Sequence, residues 1–332
     1  MNIFKIHVNS FAIFHFFAYF CTQEIIEIAE MSKFINPFTD VGFKRIFGQK
    51  FSKPILLAFL NSLLVGERKI VDLQYLDKEK LGITDNNRSL IYDILCQTDT
   101  GEYIIVEMQN KSQPFFKNRC VFYLSKSIIE QGERGSRWEY DIKAVYLVAF
   151  LNFRLKGLTD DFRIDVGLMD MRRKTVFSDK MRMILLQLPY FTKELEECED
   201  IFERIIYVLK HMEILQRMPW LAQDAVFKRL SEIAEVASLS KDERRQYDES
   251  LKQYRDTIAV MHGQYLEGLE EGMEKGMEKG RQRGREEGRE EGREEGRAEE
   301  RYVLARRMKA DGMTAETIAK YTGLTAMEIS EL

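Results

Sequence analysis

Residues able to do chemistry concentrate in positions 89–110, SLIYDILCQTDTGEYIIVEMQN. Thr98, Thr100, Tyr103, Ile104, Ile105 and Val106 favour strands, and Gly101 can take the positive φ that a three-residue hairpin loop over Asp99-Thr100-Gly101 requires. Pairing Thr98 with Glu102 then sets Asp93 directly across from Glu107. Side chains alternate along a strand, so Tyr92, Ile94, Cys96, Ile104, Val106 and Met108 share one apolar face. Asp93, Glu107 and Gln109 share the other, among Ile91, Leu95 and Ile105. A slip of one residue would misalign the acids. Unpaired charge between buried strands is heavily penalised, and neighbouring carboxylates raise one another's pKa. A hard divalent cation resolves that conflict, because Mg²⁺ takes carboxylate oxygens and keeps waters for a phosphate substrate.

Asp93 followed by Glu107-Met108-Gln109 resembles the D…(D/E)-x-K signature of the PD-(D/E)XK nucleases, with Gln109 where most members carry lysine. With FTDVGFKRIFG upstream and a helix carrying Arg119 and Tyr123 downstream, the chain is similar to the Rpn family of recombination-promoting nucleases, often labelled transposases. The likeness covers roughly residues 34–191, with a looser one in the tail. It implies an α/β fold, a PD-(D/E)XK restriction-endonuclease-like core with a C-terminal helical extension. It also implies a DNA endonuclease dependent on Mg²⁺ or Mn²⁺, with Asp93 and Glu107 as metal ligands, acting in recombination or on mobile DNA.

In that pattern Gln109 orients the attacking water, but a neutral amide cannot lower the water's pKa by charge. Asp40 either supplies a further catalytic acid from the first helix or simply caps it. Lys44, Arg119 and Tyr123 are candidate substrate contacts, with helix-surface packing as the plainer role. The rival reading is a catalytically weak or inactive DNA-binding or assembly protein on a nuclease-like core, which the neutral Gln109 favours.

The elements that must position these residues are legible on either side. Thr39 or Asp40 can start a helix whose Phe43, Ile46 and Phe47 form one face. A second helix spans residues 53–64, with Pro54 in its first turn and Gly66 beyond its end. Residues 70–76 read as a strand, followed by a polar loop through Asn86-Asn87. Residues 114–131 form a helix with Phe116, Cys120, Tyr123, Leu124 and Ile128 spaced for burial, and Arg119 and Tyr123 share a face. IKAVYLVAF (142–150) is a buried strand. Short strands follow at 162–169, 175–177 and 181–188, then helices to about His262 with a break near Pro219.

A chain of 332 residues can hold one sizeable core plus appendages. A net charge of −4 announces no nucleic-acid binder in bulk, so DNA contact must be local. Cys21, Cys96, Cys120 and Cys198 lie far apart, and His7, His15, His211 and His262 form no ligand pair. That argues against a disulfide framework or zinc site and fits a reducing cytoplasm. Residues 1–30 read as an upstream extension or a misassigned start. Their apolar run is too short for a membrane span, no small-residue cleavage site follows, and MSKFINPFTDVGFKRIFG from Met31 opens as family members open.

The expected organisation is therefore a nuclease-like core at 31–191, a helical extension at 192–263, a charged spacer at 264–300 and a small helical tail at 301–332. Glycine recurs every fourth residue from Gly268 to Gly296. Glu–Arg pairs three apart, such as Glu286–Arg289 and Glu290–Arg293, favour a helix. Eight glycines, each costing about 1 kcal/mol against alanine, oppose it. The glycines wind around such a helix and make no single seam. With 13 Glu against 8 Lys plus Arg over residues 267–300, this is no DNA-binding arm. TAETIAKYTGLTAMEISEL resembles the first part of a helix-turn-helix, with a Thr325–Glu328 capping box. Its second helix is too short to fill a major groove, so the tail reads as a packing or homo-oligomerisation element.

Overall fold

The computed structural model describes residues 32–77, 79–80, 90–132 and 139–332. The expectations for residues 1–30 and for the loop through Asn86-Asn87 lie outside the described residues. The described strands are β1 (Leu73–Tyr75), β2 (Glu79–Lys80), β3 (Leu90–Ile91), β4 (Ile94–Thr98), β5 (Tyr103–Gln109), β6 (Val145–Leu151), β7 (Arg163–Met169) and β8 (Val176–Gln187). Six of them form one sheet in the order β1-β4-β5-β6-β8-β7, while β2 and β3 pair separately. The helices are α1 (Asp40–Phe47), α2 (Lys53–Leu63), α3 (Phe116–Ile129), α4 (Ile201–His211), α5 (Ala225–Ala234), α6 (Lys241–Ala310), α7 (Ala315–Thr322) and α8 (Ala326–Ser330). No described helix is long and apolar enough to cross a membrane.

The centre of the sheet is parallel: β5 pairs with β6, and β6 with β8. Both faces are covered, which is why every residue of β6 is buried and its sequence runs apolar without alternation. On one face Cys96, Ile104, Val106, Val148 and Phe150 pack with residues of α1, α2, α4 and α5. On the other, Leu95, Ile105, Leu147 and Ala149 meet Phe116, Cys120 and Leu124 of α3. Cys96, Cys120 and Cys198 are buried free thiols.

The β4–β5 hairpin has the register its loop demands. Ile94 faces Val106 and Gln97 faces Tyr103, the Thr98 amide donates to the Glu102 carbonyl at 2.9 Å, and Gly101 turns at φ 93°. Tyr92 departs from the expected alternation. It precedes the ladder, and the chain bends at Asp93, so its ring packs on the α3 side, 5.1 Å from Tyr123, and not with Ile94 and Cys96.

Other elements are longer or shorter than their sequence signals. The first strand is shorter than expected, Leu73–Tyr75, with backbone bonds at Asp72 and Leu76 just beyond its two ends. The two short strands expected at 175–177 and 181–188 are one strand, β8, because register shifts between Gly167 and Met169 on β7 absorb the irregularity. Thr39, not Asp40, caps α1, accepting from the Gly42 amide at 2.9 Å.

The described contacts divide at Ile258 into a larger unit and a smaller one, Ala259–Leu332. The glycine repeat lies inside α6, exposed throughout, and an added Cβ at Gly268 to Gly296 would meet nothing within 4 Å. Its ion pairs, Lys275–Glu271 at 2.9 Å and Arg283–Glu287 at 2.8 Å, span four residues, not the three expected. In the smaller unit Ala305, Ile318, Leu324 and Ile329 form a small core, with Thr314 and Thr325 capping α7 and α8 and the Thr325–Glu328 capping box formed.

Two outcomes follow from this packing. Phe150 is fully buried with its ring 5.1–5.8 Å from those of Phe43, Phe47 and Phe59, so Phe150→Ala should cost about 3–5 kcal/mol in urea unfolding. Gly284→Ala, Gly288→Ala and Gly292→Ala should each strengthen the helix by about 1 kcal/mol, read as slower amide exchange through the repeat. Unchanged exchange in the triple variant would show that glycine does not limit helix stability there.

Candidate active site

The hairpin register carries Asp93 and Glu107 to facing ends of two adjacent strands. The Asp93 amide donates to Glu107 Oε1 at 3.3 Å, and the Met108 amide donates to Asp93 Oδ2 at 2.8 Å. Each acid is thus tied to the other strand's backbone, which locks their mutual position. Glu107 is buried, and Asp93 half-buried. Gln109, two residues along the same face of β5, donates from Nε2 to Glu107 Oε2 at 3.3 Å. These three residues therefore stand together on neighbouring strand positions.

Burial, then the neighbouring Asp93 carboxylate, pushes the Glu107 pKa up to about 8, against the Asp93 amide, Arg119 and Gln109, which favour its charged form. Asp93 is also raised, by burial first, with the Met108 amide, Lys44 and Arg119 opposing and Asp40 adding to the rise. A pair that resists double ionisation has room for a cation's charge.

The remaining candidates arrive from two layers. On α1, Lys44 Nζ lies 2.6 Å from Asp40 Oδ1, and both groups are felt electrostatically at Asp93. On α3, the Arg119 guanidinium lies over the rings of Phe116 and Tyr123, at 5.6 and 5.8 Å, and its Nη1 donates to Gln113 Oε1 at 2.9 Å. Its Nη2 is buried with no hydrogen-bond partner, and its charge reaches both acids. Tyr123 sits edge-on to Tyr92, whose hydroxyl lies 3.4 Å from that of Ser127.

Three supporting residues escaped sequence reasoning. Asn110 donates from Nδ2 to the Phe38 carbonyl at 2.6 Å, tying the end of β5 to the segment leading into α1, and its Oδ1 is buried without a partner. A polar residue on the apolar parity of β5 was the available signal. Gln113 orients Arg119. The Asn152 amide extends the β5–β6 ladder to the Gln109 carbonyl at 2.9 Å, and its Nδ2 reaches the Tyr254 hydroxyl of α6 at 3.5 Å.

Among the described residues no three His, Cys, Asp or Glu side chains converge to hold a metal. Asp93 and Glu107 face each other across the hairpin, while the Asp40 carboxylate is engaged by Lys44. Two carboxylates are the kind of oxygen donor Mg²⁺ takes, and burial with mutual repulsion raises the pKa of both.

The sign of the pH effect follows from Glu107. Its folded pKa of about 8 lies above the ordinary 4.5, so the folded chain holds this proton more tightly than the unfolded chain does. The resulting stability is complete below 4.5 and is lost as pH rises toward about 8. In chelator, wild-type protein should be less resistant to urea at pH 8 than at pH 5, and Glu107→Gln should flatten that difference. Equal slopes in the two proteins would place the titration elsewhere.

No curated protein and no solved structure matches the chain. A family model described as PD-(D/E)XK nuclease family transposase matches residues 37–264. The match takes in the helices after β8, well beyond the 34–191 of the motif likeness, so α4, α5 and the start of α6 belong to the shared architecture. Members of this family are nucleases that typically use divalent metals. Together with the six-stranded α/β sheet, this shows that the chain belongs to the PD-(D/E)XK nuclease family transposases.

Proposed function

We propose that the protein is a metal-dependent DNA endonuclease that hydrolyses phosphodiester bonds at the Asp93–Glu107 pair, in recombination or on mobile DNA within the cytoplasm. The observation that carries this reading is the cross-strand lock between the two acids, with Gln109 bonded to Glu107 on the same face.

Asp93 and Glu107 would hold Mg²⁺ or Mn²⁺, which when bound supplies hydroxide near neutral pH and polarises a phosphate oxygen. The Met108 amide fixes the Asp93 carboxylate, and the Asp93 amide fixes Glu107, so neither side chain must reorganise on binding. Gln109 can orient a water by its amide but adds no charge. Lys44 and Arg119 would bring positive charge from opposite layers toward a phosphodiester. Tyr123 supports Arg119 and is the third candidate substrate contact. Asp40 holds Lys44 in place and adds acidic charge beside Asp93. The exposed C-terminal helices suit homo-oligomerisation.

A second reading, a DNA-binding or assembly protein on a silent core, draws on Gln109, since the lysine that usually stabilises phosphate charge is missing. Metal-dependent nicking of plasmid by purified protein separates the two. Asp93→Asn and Glu107→Gln should each reduce nicking by more than the roughly 10–100-fold typical of outer-shell partners, with cooperative unfolding retained. Gln109→Lys should accelerate it by restoring a cation beside the phosphate. Wild-type activity in Asp93→Asn would remove the assignment. An inactive, fully folded Gln109→Lys would mean that the site is built around glutamine.

A further inference from the structure

The β7–β8 hairpin continues past the sheet. β6 pairs with β8 only from Met181 onward, whereas Leu168 and Met169 pair with Ser178 and Val176 alone. Residues 167–177 are exposed, with Met171, Val176 and Phe177 at 73%, 75% and 81%. A two-stranded ribbon is marginal in water by itself, and this one shows apolar side chains without cover.

Its tip is nevertheless well built. The Asp170 carboxylate accepts from the amides of Arg172 and Arg173 at 2.8 and 3.0 Å. The Lys174 amide donates to the Asp170 carbonyl at 2.8 Å, and Lys174 takes the left-handed φ of 58°. Three consecutive cations are thereby presented on a fixed turn. Nearby Arg163, Arg182 and Arg68 are engaged by Asp165, Glu67 and Glu102. Among the described residues Arg172, Arg173 and Lys174 make no ion pair. In a chain of net charge −4, this is a local surface suited to a polyanion.

We infer that the β7–β8 ribbon is a duplex-DNA arm that enters the major groove, with Arg172, Arg173 and Lys174 on phosphates and Met171 and Phe177 against the groove floor. The major groove of B-form DNA admits a two-stranded ribbon, while that of A-form RNA is too narrow. The inference rests on the nuclease reading only for its reach. Glu107 is level with Ala149 and Leu185, and nine residues separate Leu185 from Val176, about 30 Å along the strand. One turn of duplex, about 34 Å, spans that interval.

The test uses the full chain in EDTA, so that binding is read without cleavage, by anisotropy of a labelled duplex of about 30 base pairs across a salt series. Arg172→Gln, Arg173→Gln and Lys174→Asn, the last tolerant of the left-handed turn, are combined. The triple variant should bind about tenfold more weakly, with a salt slope shallower by about 2–3, at an unchanged melting temperature. Phe177→Thr should weaken binding with the slope retained. Wild-type affinity and slope in the triple variant would overturn the arm, as would equal tip-dependent affinity for RNA duplex. Light scattering that shows Phe177→Thr dissolving a dimer, with DNA binding intact, would reassign the ribbon to contacts between copies. A protein that binds through the tip yet never nicks plasmid keeps this inference and loses the nuclease reading. One that nicks with a dispensable tip does the reverse.

Discussion

Ile94 faces Val106 because three loop residues separate Thr98 from Glu102, and everything chemical in the larger unit depends on that spacing. Strand pleating turns a one-residue slip into a change of face. A loop longer by one would send either Asp93 or Glu107 toward the apolar layer under α1 and α2. The cross-strand amide bonds that immobilise each carboxylate would be lost with it. Thr98, Thr100 and Arg68 gather on Glu102 at the hairpin end, so the turn itself is pinned by side chains.

The acids lie where the two covering layers meet. Asp93 responds to Lys44 of α1 and to Arg119 of α3, which approach from opposite sides of the sheet. Neither helix alone would complete the electrostatic environment. Asn110 holds the β5 end to the segment before α1, and Gln113 and the aromatic faces of Phe116 and Tyr123 hold Arg119. Burial and mutual repulsion raise the proton affinity of both acids, and the charges of Lys44 and Arg119 offset that rise only in part.

Much of this was legible in the sequence because it is local. Strand alternation, a three-residue loop with glycine at its left-handed position, and a threonine cap are short-range rules. They locate α1, α2, the hairpin and the Asp93–Glu107–Gln109 set. What escaped is tertiary. Tyr92 obeys a bend that only its packing on Tyr123 explains. Asn110 matters through a carbonyl 72 residues away in sequence. The single strand β8 exists because β7 absorbs an irregularity opposite polar residues that, read alone, look like a turn. Helix α6 likewise persists through eight glycines, where summed propensity argues for weakness.

That helical repeat also makes length a discrete geometric variable. Each four-residue unit adds about 6 Å of rise and overshoots a turn by about 40°. Gain or loss of one unit would move α7 and α8 by that step and swing them to a new azimuth around the helix axis. About nine units would be needed to return them to the same bearing. Because residues 268–296 are all exposed, such a change disturbs no buried packing among the described residues. The repeat number therefore sets the bearing of α7 and α8 about the axis of α6.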